Sequence, residues 1–258
     1  MIRWGTIIAP AERHLLVMMH RLNRDLPNPH GPMDGAMRRA AFLLAYVPVA
    51  LTLMEYVFRP AFLIRHLPDE SAAYAGLLPD LWWALGSIAL YLPIPMLIVR
   101  FGFGHRLRDY GWRIDVPGRY WLLYGAMLLA VLPLVFYAAG RPEFRAVYPF
   151  YRAAFIAPPG AVLAWELAYL AQFLALEFFF RGFLAIGLGQ VMGRLAVWVA
   201  MVPYCMIHYH KPLPEALAAI VAGLVLGEVA QRTRSIAGGV VVHMGVALTM
   251  DLLALGKL

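Results

Sequence analysis

Long apolar stretches recur along the chain, separated by short polar loops rich in arginine. Runs of about 20 apolar residues match the hydrocarbon thickness of a bilayer. The pattern predicts seven spanning helices, at 38–58, 79–100, 119–140, 160–188, 194–210, 214–230 and 235–255. The third, Tyr120–Gly140, carries no charge. The first holds Glu55 near its end, and the fourth is long enough to hold both Glu166 and Glu177. Pro93 and Pro95 in the second predict a kink of the kind membrane helices tolerate. The sixth is short, but Gly223 and Gly227 give it a small-xxx-small face that permits close packing. The loops at 59–78 and 141–159 are too short for cores of their own, and no internal repeat is legible. The expected fold is all-α: a polytopic integral membrane protein of about seven transmembrane helices.

Composition agrees, with 62% hydrophobic and 14% charged residues, an unusual balance for a soluble domain. The net charge of +7 comes from 20 arginines and 2 lysines set against 15 acidic residues. In a membrane protein such clusters mark cytoplasmic loops. No nucleic-acid-binding motif accompanies them, so nucleic acid is not an expected partner. With the N-terminus inside, 14 of the Arg and Lys residues fall on the cytoplasmic side and 7 outside, with Arg181 left in the membrane. Residues 1–37 read as a cytoplasmic arm without a clean signal peptide. Within it, residues 6–24 fit either an interfacial helix or a solvated segment. The transmembrane domain is 38–258. Cys205 is the one cysteine, so no intrachain disulfide is expected. Small size and the lack of eukaryotic sorting signals point to a bacterial inner membrane.

A few polar residues interrupt the apolar runs. Glu177 and Arg181 are four apart and share a helix face. Charge at membrane depth is expensive, so it faces an interior and commonly serves a function. His208 and His243 lie in the fifth and seventh apolar segments. At 1.5 Å rise per residue, Glu177, His208 and His243 stand about 16, 21 and 12 Å from the cytoplasmic ends of their helices. The boundaries are loose by several residues, so three helices bring a carboxylate and two imidazoles to a similar level. A carboxylate beside a histidine activates water, and a second histidine stabilises an oxyanion. Each residue also has a plain structural reading: an ion pair clipping helices, an interfacial histidine, a core histidine. Glu166 lies three turns before Glu177 on nearly the same face, and Asp251 two turns after His243. His210 reads as a loop residue, Glu228 as the cytoplasmic end of the sixth helix, and Phe178–Phe180 as membrane packing. The His and Glu residues include zinc-ligand types, but no HExxH is present, and no metal or other cofactor is expected. There is no Gly-rich phosphate loop or serine elbow.

Glu177-Phe-Phe-Phe-Arg181-Gly182 resembles motif one, EExxxR, of the CAAX protease and bacteriocin-processing (CPBP) family. Tyr204-xxx-His208 resembles its second motif, FxxxH, with Tyr in place of Phe, and His243-xxx-Ala247 its third, HxxxN or HxxxD. The three stand in the family's order over about 160–255. The resemblance implies a helical membrane core and a glutamate-type intramembrane endopeptidase. It also implies roles. His208 helps a glutamate activate water, His243 holds the oxyanion, and Arg181 orients the carboxylate. Tyr204, Asp251 and Glu166 are supporting candidates. Leu176 stands where the family has the first glutamate, and Ala247 where it has Asn or Asp. The expected substrate is a lipid-modified or membrane-embedded protein segment. The competing readings are a non-proteolytic scaffold or immunity protein, and a proton-coupled transporter, against which the lack of inverted repeats counts.

Overall fold

The computed structural model describes residues 33–66 and 76–256, and every regular element among them is helical. The chain divides into two compact units, residues 1–38 and 39–258. The proposed interfacial segment, 6–24, lies outside the described residues. In the first unit, Asp34 Oδ1 accepts a bond from the Met37 N–H at 2.8 Å and caps a helix start.

Seven main helices follow: α1 (Gly35–Tyr56), α2 (Leu77–Gly102), α3 (Gly118–Ala139), α4 (Pro159–Met192), α5 (Leu195–Met206), α6 (Leu213–Thr233) and α7 (Ala237–Ala254). All but α5 are long and apolar enough to cross a membrane. The fifth expected span, 194–210, is shorter than its composition suggests. Helix α5 has 12 residues, about 18 Å of rise against a core of about 30 Å. Its end is set by backbone bonding: the His208 and Tyr209 amides reach back three residues, to Cys205 and Met206. That tighter pattern closes the last turn, and Pro212 then precedes the next helix.

Helix α2 bends as its prolines predict: Leu92, before Pro93, leaves the helical region at φ −123° and ψ −76°. Helix α4 starts with Pro159 in its first turn, where a missing N–H costs nothing. It runs 34 residues and ends at Gly193, whose φ of 56° suits glycine. Its middle, Phe178–Ile186, is π-helical, and all nine residues are buried. Phe178, Phe179, Phe180 and Phe183 form the centre of the core with Tyr46 and Tyr91, so the aromatic run is interior packing.

Helix α4 is the hub. Its most apolar window is 78% buried, against 11% for α3, which faces outward. Helices α2 and α7 pack along α4, α5 and α6 pack against its π-helical part, and α3 packs on α7. Small residues allow these approaches. A Cβ on Gly227 would stand 2.8 Å from Val197 Cγ1, and one on Gly238 would overlap the Tyr124 ring. The small-xxx-small face read from Gly223 and Gly227 is therefore the α5–α6 contact.

Candidate active site

The charged end of Glu177 is enclosed where α4 passes from α-helical to π-helical form. Such a change re-aims side chains and is frequent at functional sites. Glu177 is 0% and Arg181 2% exposed. Glu177 Oε1 lies 2.7 Å from Nδ1 of His243 on α7 and 3.5 Å from Arg181 Nε. The Arg181 contact is one of charge rather than an aligned hydrogen bond, and Arg181 Nε and Nη2 and Glu177 Oε2 have no hydrogen-bond partner. Arg181 instead lays its guanidinium 3.9 Å from the centroid of the Tyr204 ring.

Two further bonds extend the cluster. Tyr204 Oη lies 2.9 Å from His243 Nε2, and Nδ1 of His208 lies 2.8 Å from the Tyr204 carbonyl oxygen. The Tyr204 and His208 rings are 4.8 Å apart, and Phe173 stacks on His243 at 5.4 Å. The His243 side chain is 16% exposed, so the imidazole is the open end of a carboxylate–imidazole pair. Beside a guanidinium, Glu177 is a carboxylate and can only accept. His243 Nδ1 therefore carries a proton, and in the neutral ring Nε2 then holds the lone pair.

Five of the seven sequence candidates thus converge: Glu177, Arg181, Tyr204, His208 and His243. The expected pairing of Glu177 with His208 is replaced by Glu177 with His243. Glu166 and Asp251 lie elsewhere, against one another and near Trp165, toward the opposite end of α4 and α7. The physical reason is distance along the helix: 11 residues separate Glu166 from Glu177 and eight separate Asp251 from His243, about 16 and 12 Å. Leu176 packs into the main core, and Ala247 packs into the cluster formed by Trp165 and Tyr169. Both departures from the motifs are filled by apolar contact. His210 is exposed, 3.7 Å from Glu55, and Glu228 pairs with Arg194 and Arg232. Among the described residues no three His, Cys, Asp or Glu side chains are grouped to hold a metal ion.

Two features go beyond the sequence candidates. Gly239 packs directly against the Glu177 carboxylate, and a Cβ there would overlap Oε2. Lys211 lies in the loop beyond α5, bonded to the Tyr148 hydroxyl, 3.4 Å from Glu215 and 4.0 Å from the Phe150 ring centroid. Burial pushes its ammonium down to about 8. The Lys211–Glu215 spacing of four is the signal the sequence offers for that pair.

Residues 158–249 match the family model described as type II CAAX prenyl endopeptidase, Rce1-like. The segment is similar to that family. It contains all five converging residues and stops short of Asp251. No curated protein and no solved structure matches the chain. The six long apolar helices, with the Rce1-like segment supplying α4, α6 and most of α7, mark an integral membrane protein.

Proposed function

We propose that the protein is an intramembrane endopeptidase of the CAAX prenyl protease type. The observation that carries this reading is the 2.7 Å bond between Glu177 and His243 inside the Rce1-like segment. A carboxylate on Nδ1 raises the basicity of Nε2 and steadies the imidazolium that forms when it takes a proton. His208 offers a second imidazole. Its Nδ1–H is tied to the Tyr204 carbonyl, which leaves Nε2 as a free lone pair.

In the proposed reaction His208 Nε2 takes a proton from water as the water oxygen attacks the scissile carbonyl. His243, having first taken a proton from solvent at Nε2, faces the tetrahedral oxyanion as a Glu177-backed imidazolium and supplies positive charge to it. The His208 proton then passes to the leaving amine as the C–N bond breaks. Enclosure by helices makes these interactions stronger than in water. The substrate class is a lipidated or membrane-embedded protein segment entering between helices, with no cofactor required. The proposed site of action is a bacterial inner membrane with the N-terminus cytoplasmic.

A second reading is a non-proteolytic scaffold or immunity protein. It is favoured by the apolar packing of Leu176 and Ala247. The purified chain in liposomes with a farnesylated peptide ending in Cys-aliphatic-aliphatic-X separates the two. Cleavage after the prenylated cysteine, lost by about 100-fold or more in Glu177→Gln and His208→Asn, supports the protease. No cleavage by folded wild-type protein favours the scaffold.

A further inference from the structure

Tyr204 bonds both histidines of the site through different atoms. Its side-chain hydroxyl meets His243 Nε2 at 2.9 Å, and its main-chain carbonyl holds His208 Nδ1 at 2.8 Å. One residue therefore touches both imidazoles, one turn of helix before His208 and across the helix interface from His243.

The ring that carries the hydroxyl is clamped. Tyr204 is 1% exposed. Arg181 covers one face at 3.9 Å, and Phe180 meets the ring at 5.3 Å between centroids. From α6, Gly223 comes so close that a Cβ would stand 3.1 Å from Tyr204 Cδ1. A phenol oxygen lies on the ring axis, so with the ring fixed only the O–H hydrogen can turn.

That freedom matches what His243 requires. In the neutral imidazole Nδ1–H donates to Glu177, and the Tyr204 O–H donates to the lone pair on Nε2. Once Nε2 is protonated it becomes a donor, and the same hydroxyl oxygen accepts after its hydrogen rotates. The heavy atoms need not move. The phenylalanine of an FxxxH motif could bond neither form. Ala247, one turn along α7 from His243, offers no side-chain polar atom either, so Tyr204 supplies the second polar contact from α5.

We propose that Tyr204 is a positioning residue that holds the His243 ring in one orientation through both of its protonation states. Its consequence for turnover rests on the endopeptidase reading; the holding of the ring does not. Its role for His208 is separable, because the carbonyl bond survives any side-chain change.

The test uses the full chain in lipid nanodiscs with 15N-labelled histidine. His243 is assigned by the resonance missing from His243→Asn. In Tyr204→Phe the His243 Nε2 resonance is expected to move downfield as its lone pair loses a donor, while the His208 signals stay in place. With the farnesylated peptide, kcat is expected to fall about 10–100-fold at nearly unchanged KM, as for a lost hydrogen bond to a group that becomes charged. An unchanged Nε2 resonance, or wild-type kcat in a variant that cuts the peptide, overturns the proposal. If Tyr204→Phe does not fold, 3-fluorotyrosine at 204 replaces it: a stronger donor moves Nε2 upfield, and no movement overturns the proposal. If the wild-type chain cuts no peptide, the endopeptidase reading fails, and the imidazole resonances still decide whether Tyr204 holds the ring.

Discussion

Gly239 shows how little room the Glu177 carboxylate has. A single methyl group there would occupy the space of Oε2. Gly239→Ala is therefore expected to push the carboxylate off His243 while the helix itself, which favours alanine, remains intact. Displacements of about 1 Å at a reacting group cost roughly 100-fold in rate. The expected outcome is a loss of that order in peptide cleavage, with thermal stability and helicity close to wild type. At this scale the charged residues are legible in the sequence, because Glu177 and Arg181 contradict the apolar run around them and their spacing puts them on one face. Gly239 is not legible. Its helix is regular at that point, and the need for a missing side chain arises only from the approach of α4 to α7. The partner of Glu177 differs from expectation for a related reason: helical rise places residues along the membrane normal but does not say which neighbouring helix faces which. The separation of Glu166 and Asp251 from the site has the same origin, since sharing a helix face does not mean sharing a level.

Among the elements, α4 carries the most function. Its π-helical turn buries nine consecutive residues and leaves Arg181 stacked on Tyr204 rather than aligned with Glu177. No local pattern announces such a turn, because Phe-Phe-Phe-Arg-Gly-Phe-Leu-Ala-Ile is equally compatible with a plain α-helix. Apolar length does announce six of the seven spans, and glycine spacing announces the α5–α6 contact. It overstates α5, since Ile207 extends the apolar run past the point where the backbone turns. The α5–α6 contact can be tested away from the chemistry at Gly227, which touches Val197 rather than Tyr204. Gly227→Leu is expected to cost about 1–3 kcal/mol by overpacking. A thermal scan in detergent should then show a midpoint about 2–10 °C lower. An unchanged midpoint would mean that the two helices do not pack as described.

Across the molecule, basic residues gather at one end. Arg234 bonds the Asp109 carbonyl, Ser235 bonds the Arg113 carbonyl, and Arg194 and Arg232 share Glu228. The other end holds the Tyr148–Lys211–Glu215 cluster and the Glu166–Asp251 pair. Under the positive-inside rule the first end is the one proposed to be cytoplasmic. In a Cys205→Ala background, Arg108→Cys should react with an impermeant maleimide only after the membrane is opened, and Glu143→Cys in intact cells. The reverse pattern would invert the proposed orientation. The spacing of arginines along the chain is enough to suggest this arrangement, whereas the identity of the substrate is written in no residue pattern. The claim on which the account turns is that the Glu177–His243 pair cuts membrane-associated proteins. The most direct measurement compares protein termini in membranes of cells expressing the wild-type chain with those expressing Glu177→Gln at equal abundance. New termini present with the wild type and absent with the variant are the predicted result. Identical termini in the two, with both chains folded and inserted, would contradict it.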